Sequence, residues 1–153
     1  MNPHFLNKRL AHQLGFAGLL PLLLLMLGVW FADASLIGDF LRGQKAYAMV
    51  ILSFLGGIHW GAAMLCSTLS LSDTKKALLW SVTPSLIAWS ATLSGGFGMA
   101  VLTGGFIAAL AVDKRMFGRY GMPGWLIRLR GRLTVAVVIL LAATVIGANL
   151  RGT

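Results

Sequence analysis

The chain of 153 residues contains no glutamate, only four aspartates, and a charged fraction of 11%. A soluble domain carries roughly a quarter charged residues. Too few polar groups are present to cover a water-facing surface, which excludes a soluble globular enzyme. A hydrophobic content of 58% also excludes a disordered tail. The single cysteine, Cys66, excludes an internal disulfide and a cysteine-rich metal site. Walker loops, nucleophile elbows, HExxH motifs, zinc-finger spacings and helix-turn-helix patterns are missing. No metal, cofactor or nucleic-acid partner is therefore expected, nor a catalytic residue.

Long apolar runs are what the chain does have. Five stand out, over residues 14–32, 46–69, 77–94, 97–112 and 133–150. A run of about 19 residues rises about 28 Å as a helix, close to the hydrocarbon thickness. The run 97–112 is the shortest, but it carries no charge. Backbone polar groups find no water in lipid, so each run is expected to be helical. The runs do not alternate in polarity, as strands of a membrane barrel would. The expected fold is all-α, one integral membrane bundle of five transmembrane helices over residues 1–153. The first run also resembles a signal peptide, with Lys8 and Arg9 ahead of it and Ala32-Asp33-Ala34 after it. Its length, with Gly18 and Pro21 inside, favours retention as a span.

Net charge is +9, and its distribution sets the orientation. With five spans, Lys8, Arg9, Lys75, Lys76, Lys114, Arg115, Arg119, Arg128, Arg130 and Arg132 share one side; only Arg42, Lys45 and Arg151 lie on the other. Lysine and arginine collect on the cytoplasmic side. The N-terminus is thus expected in the cytoplasm and the C-terminus in the periplasm, in a bacterial inner membrane. Residues 33–45 are expected as an outer loop in which Asp39 and Arg42 pair. Gly95-Gly96 would close a tight hairpin. Residues 113–132 form a basic interfacial segment. There, Trp125 with Arg128, Arg130 and Arg132 are candidate contacts for lipid head groups, anionic ones above all. Asp113 reads as an interfacial partner of Lys114 and Arg115, or as a tie to the Arg128–Arg132 segment.

Ser53, Gly57 and Gly61 recur every four residues in the second run. Small residues at that spacing let another helix approach closely, so Gly57→Leu is expected to disrupt the bundle more than Leu24→Ala. His59, the one histidine inside a run, should be neutral, face the interior and find a partner. Its role is open between a structural hydrogen bond, a ligand head-group contact such as a quinone carbonyl, and a proton-relay or metal role. Span three offers Ser81, Ser85 and Thr92 on one polar face. Pro84 adds a carbonyl freed at Trp80. His59, Ser81, Pro84 and Ser85 are therefore the candidate intramembrane polar site. All four aspartates sit at or beyond run ends, so no acid is expected beside His59.

The strings Ser53–Gly61 (SFLGGIHWG), Trp80–Trp89 (WSVTPSLIAW) and Asp113–Thr134, with the opening Leu14–Pro21 (LGFAGLLP), carry a resemblance. From about Leu14 to Leu150 the chain resembles a domain-of-unknown-function family of small polytopic membrane proteins that includes animal transmembrane protein 69. Where that family commonly follows the tryptophan at position 125 with an aromatic residue, this chain has Leu126. The resemblance implies a bacterial inner-membrane protein with mitochondrial relatives, and no established activity. Without catalytic motifs, the chain is expected to be a non-enzymatic accessory or assembly subunit, meeting another membrane protein or a second copy. A small transporter or channel, or a quinone or lipid head-group binder, is the alternative.

Overall fold

Apolar runs without alternation become helices, and the computed structural model, which describes residues 3–152 with side chains from Lys8 onward, is helical throughout. The helices are α1 (Pro3–Ala17), α2 (Leu20–Phe31), α3 (Ile37–Leu65), α4 (Leu71–Leu93), α5 (Gly98–Met116) and α6 (Gly124–Arg151). No strand occurs among the described residues. Four stretches are long and apolar enough to cross a membrane: Lys8–Phe31, Ala34–Leu65, Gly95–Met116 and Gly124–Arg151. The 23-residue α4 makes a fifth by length, with serine, threonine, tryptophan and proline diluting its apolarity.

The connections are shorter than expected. Only residues 32–36 separate α2 from α3, so most of the expected outer loop is the first two turns of α3. The Asp39–Arg42 pair lies there, exposed, at helical i,i+3 spacing. The basic segment likewise contracts to residues 117–123, because Trp125 through Arg132 already belong to α6. Helical continuation satisfies backbone groups beyond the apolar runs, which an apolar-run reading cannot detect. Between α4 and α5 the turn rests on Gly95, at φ +52°, where a glycine has no side-chain clash.

The helices pack as two units. One comprises the chain up to Gln44 and from Arg128 onward; the other is Lys45–Ile127. In the first, Gln44 Nε2 donates to Thr144 Oγ1 at 3.0 Å, both residues fully buried. Trp30 Nε1 donates to the Ala143 carbonyl at 3.0 Å. Gly147 leaves the space: a Cβ there would meet the Trp30 indole at 2.7 Å. Arg151 donates to the Val29 and Ala32 carbonyls at 2.6 and 2.7 Å. It thereby supplies the donors that the end of α2 lacks.

In the second unit, α4 and α5 form a hairpin. The inner stripe of α4 is Ala77, Ser81, Pro84, Ala88 and Ala91, at helical period. That of α5 includes Leu102, Phe106, Ala109, Asp113 and Met116. On α3, Leu52, Leu55, Gly56, His59 and Ala62 face inward. A Cβ on Gly56 would overlap the Ser81 carbonyl oxygen and touch Pro84 Cδ at 3.4 Å. At Gly56 the backbones of α3 and α4 therefore approach closely. Gly57 and Gly61, expected to be the contact positions, have nothing within 4 Å of an added Cβ, and Gly57 is exposed. The inward phase of α3 runs through residue 56, which turns 57 and 61 outward by more than 90°. Leu24, the comparison position, is 65% exposed.

Candidate polar site

His59 stands four residues after Leu55 and three before Ala62, on the buried stripe of α3, and is fully buried. It lies six residues from the end of α3, about 9 Å along the axis. It is thus not in the middle of its helix, because α3 starts earlier than the apolar run implied. Asp113 is one turn from the end of α5, on that helix's buried stripe, and 1% exposed. The two helix ends meet there. His59 Nε2 lies 2.9 Å from Asp113 Oδ1.

The third member comes from the chain after α5. Phe117 and Tyr120 turn back over His59, with ring centroids 5.9 and 5.6 Å away, Tyr120 edge-on at 70°. The turn is held by Met122 N–H on the Phe117 carbonyl at 3.1 Å, and Gly121 takes φ +67°. Its apolar surroundings include Ala62, Ala77, Met116 and Ile58. The Cys66 thiol donates to the Tyr120 carbonyl at 3.6 Å. The Tyr120 hydroxyl is 2.8 Å from His59 Nδ1.

These contacts assign the protons. A carboxylate only accepts, so His59 Nε2 carries the hydrogen and donates to Asp113. A neutral imidazole, the less costly form away from water, then leaves Nδ1 as an acceptor for the Tyr120 hydroxyl. Burial, reinforced by the negative charge of Asp113, pushes the Tyr120 phenol up to about 12. Tyr120 therefore keeps its proton and its donor role. Both imidazole nitrogens are engaged inside the chain. Among the described residues, no group of three histidine, cysteine, aspartate or glutamate side chains could hold a metal ion.

The family described as Protein of unknown function (DUF3429) matches residues 7–146. The chain belongs to that family. The matched region contains His59, Asp113 and Tyr120 together. No curated protein and no solved structure matches the chain.

The expected partners of His59 on span three are not the ones it takes. Ser81 is buried, but its hydroxyl donates to the Leu78 carbonyl at 2.6 Å. Ser85 and Thr92 are exposed. Pro84 is buried at the contact with Gly56. A serine hydroxyl returns to its own helix when no partner lies opposite. Ser53, half-buried, does the same with the Met49 carbonyl at 2.9 Å. Asp113 was legible as a polar group at a helix end, and its phase with Phe106 and Ala109 was the signal that it points inward. Lys114 and Arg115, its neighbours in sequence, are exposed.

Of the basic head-group candidates, Arg128 and Arg132 are exposed one turn apart, and Trp125 is half-buried. Arg130 departs from the expectation. It is 7% exposed, because it shares the inner stripe of α6 with Leu129, Thr134 and Val137. A side chain covered to that extent is not a surface contact for head groups.

Proposed function

We propose that this chain is a non-enzymatic accessory or assembly subunit of a bacterial inner-membrane complex. It spans the membrane five times, with its N-terminus in the cytoplasm and its C-terminus in the periplasm. Ten basic residues at the span ends of one side against three at those of the other support that orientation. The likeness to the family that includes animal transmembrane protein 69 extends the proposal to mitochondrial relatives.

One observation carries the non-enzymatic reading. The most buried ionisable pair, His59 with Asp113, is saturated: the side chains are 1% and 2% exposed, and Tyr120 takes the remaining imidazole nitrogen. Catalysis needs a group within reach of a substrate proton or atom, and transport through these residues needs an opening at them. A closed cluster joining α3, α5 and the turn after α5 is instead a lock that fixes two helix ends. The outward positions Gly57 and Gly61 support the accessory role. Gly57 and Gly61 are small, i,i+4 spaced and have nothing of this chain within 4 Å of an added Cβ. Such a stripe suits a helix of another protein. Arg128 and Arg132 meet head groups at the cytoplasmic surface.

The test is affinity purification from membranes in mild detergent, comparing the natural chain with Gly57→Leu. The same protein should accompany the natural chain in repeated preparations. Gly57→Leu should lose it while melting at the same temperature. Repeated recovery of the natural chain alone would overturn the proposal.

A further inference from the structure

At the end of the α4–α5 hairpin where α4 begins and α5 ends lies a groove of about 400 Å³. Its upper rim is cationic. Lys76, Arg115 and Arg119 line it, all exposed. Asp73, just outside the lining, is bound by Arg119, and the Ser70 hydroxyl together with Arg119 holds its carboxyl below the usual range. Lys76 and Arg115 make no ion pair among the described residues. Three positive charges thus face one negative charge around a single opening, and their repulsion favours a bound anion.

Below the rim the groove changes character. Leu79, Val112 and Met116 form an apolar wall. The Trp80 ring lines the same groove, and its covered Nε1–H has no acceptor among the described residues. A covered donor without a partner is a standing cost that a ligand acceptor removes. Cations above and an apolar trough below, arranged along helices that run into lipid, match a molecule with an anionic head and a hydrocarbon tail.

We infer that this groove is a binding site for one anionic glycerophospholipid of the cytoplasmic leaflet. The phosphate sits among Lys76, Arg115 and Arg119, and an acyl chain lies along Leu79, Val112 and Met116. Charge complementarity selects the anionic lipid over a zwitterionic one. A zwitterionic head group brings its own ammonium to a rim that is already cationic. The site borders the apolar surroundings of His59 at Met116, but His59, Asp113 and Tyr120 do not line it, and it does not require the accessory role.

The experiment titrates delipidated protein in detergent with phosphatidylglycerol, phosphatidylcholine or inorganic phosphate, following bound lipid by native mass spectrometry and melting temperature. Phosphatidylglycerol should bind one per chain and raise the melting temperature; phosphatidylcholine should bind at least about tenfold more weakly, as expected for a net-charge preference at basic clusters. Lys76→Gln with Arg115→Gln, both exposed positions, should weaken phosphatidylglycerol binding roughly thirtyfold, from the loss of two surface cations. The charge-matched variant Lys8→Gln with Arg9→Gln should bind as the natural chain does. Equal weakening in both double variants would show diffuse surface attraction and overturn the site. So would inorganic phosphate stabilising the protein as well as the lipid does, which would leave a plain anion site. If the Lys76/Arg115 variant melted lower without lipid, Arg115→Glu alone would replace it, with the same expected loss of phosphatidylglycerol binding.

Discussion

Replacing His59 or Asp113 should destabilise the protein by amounts that differ in a set order. His59→Leu takes from the buried Asp113 carboxylate, 1% exposed, the imidazole that donates to it at 2.9 Å. Breaking a buried pair from this side costs about 3–5 kcal/mol. Asp113→Leu strands a neutral N–H instead, at about 1–3 kcal/mol. Asp113→Asn keeps an accepting oxygen and should cost about 1 kcal/mol or less, the net worth of exchanging a charged for a neutral hydrogen bond. In a membrane, the unfolded reference also finds partners, so measured values should fall toward the lower ends of these ranges. The double variant His59→Leu with Asp113→Leu removes both charge and donor. It should be less damaging than the two single effects combined, since apolar replacement of a whole buried pair is often neutral or better. The Tyr120 hydroxyl left behind adds about 1 kcal/mol. Reversible unfolding in mild detergent, followed by tryptophan fluorescence, gives all four values. Additive single effects, or His59→Leu milder than Asp113→Asn, would refute the pair as drawn.

Two adjacent glycines should respond with opposite signs. Gly56→Ala drives a Cβ into the Ser81 carbonyl and should cost about 3 kcal/mol or more, whereas Gly57→Ala, with open space, should be neutral or gain up to about 1 kcal/mol of helix propensity. The same unfolding assay reads both. At alkaline pH, Tyr120 supplies a linkage: its folded pKa of about 12 exceeds the unfolded value of 10. The stability this brings is complete below pH 10 and is lost as pH rises through about 12. Tyr120→Phe should remove that part of the alkaline loss, and phenolate absorbance should show the natural Tyr120 titrating late.

The helical class and the approximate spans were legible because lipid demands long apolar runs with internally bonded backbones. His59 was legible as buried and partnered, because an imidazole facing lipid is costly. Its partners were not. Asp113 and Tyr120 lie 54 and 61 positions away, a separation that only the tertiary fold closes, and Asp113 sits beside two cations that offered a nearer explanation. The serines of α4 were misjudged for a related reason: a hydroxyl satisfies itself on its own helix as readily as across an interface. Gly56 and Gly57 are neighbours in a string of small residues. Spacing alone favoured 53, 57 and 61, while the phase of Leu52, Leu55 and Ala62, which carries the burial, picked out 56. Gln44 and Thr144 escaped notice because Gln44 lies just outside the second run and Thr144, inside the fifth, looks like a threonine bonded to its own helix.

In the proposed function the outward face of α3 meets another protein. A photo-crosslinking phenylalanine analogue in place of Phe54, 70% exposed beside Gly57 and Gly61, tests it in intact membranes, with Leu86 on α4, 61% exposed, as the control position. Irradiation should yield one discrete protein adduct from position 54 and none from position 86. The absence of any protein adduct at position 54, or equal smearing at both positions, would contradict the claim.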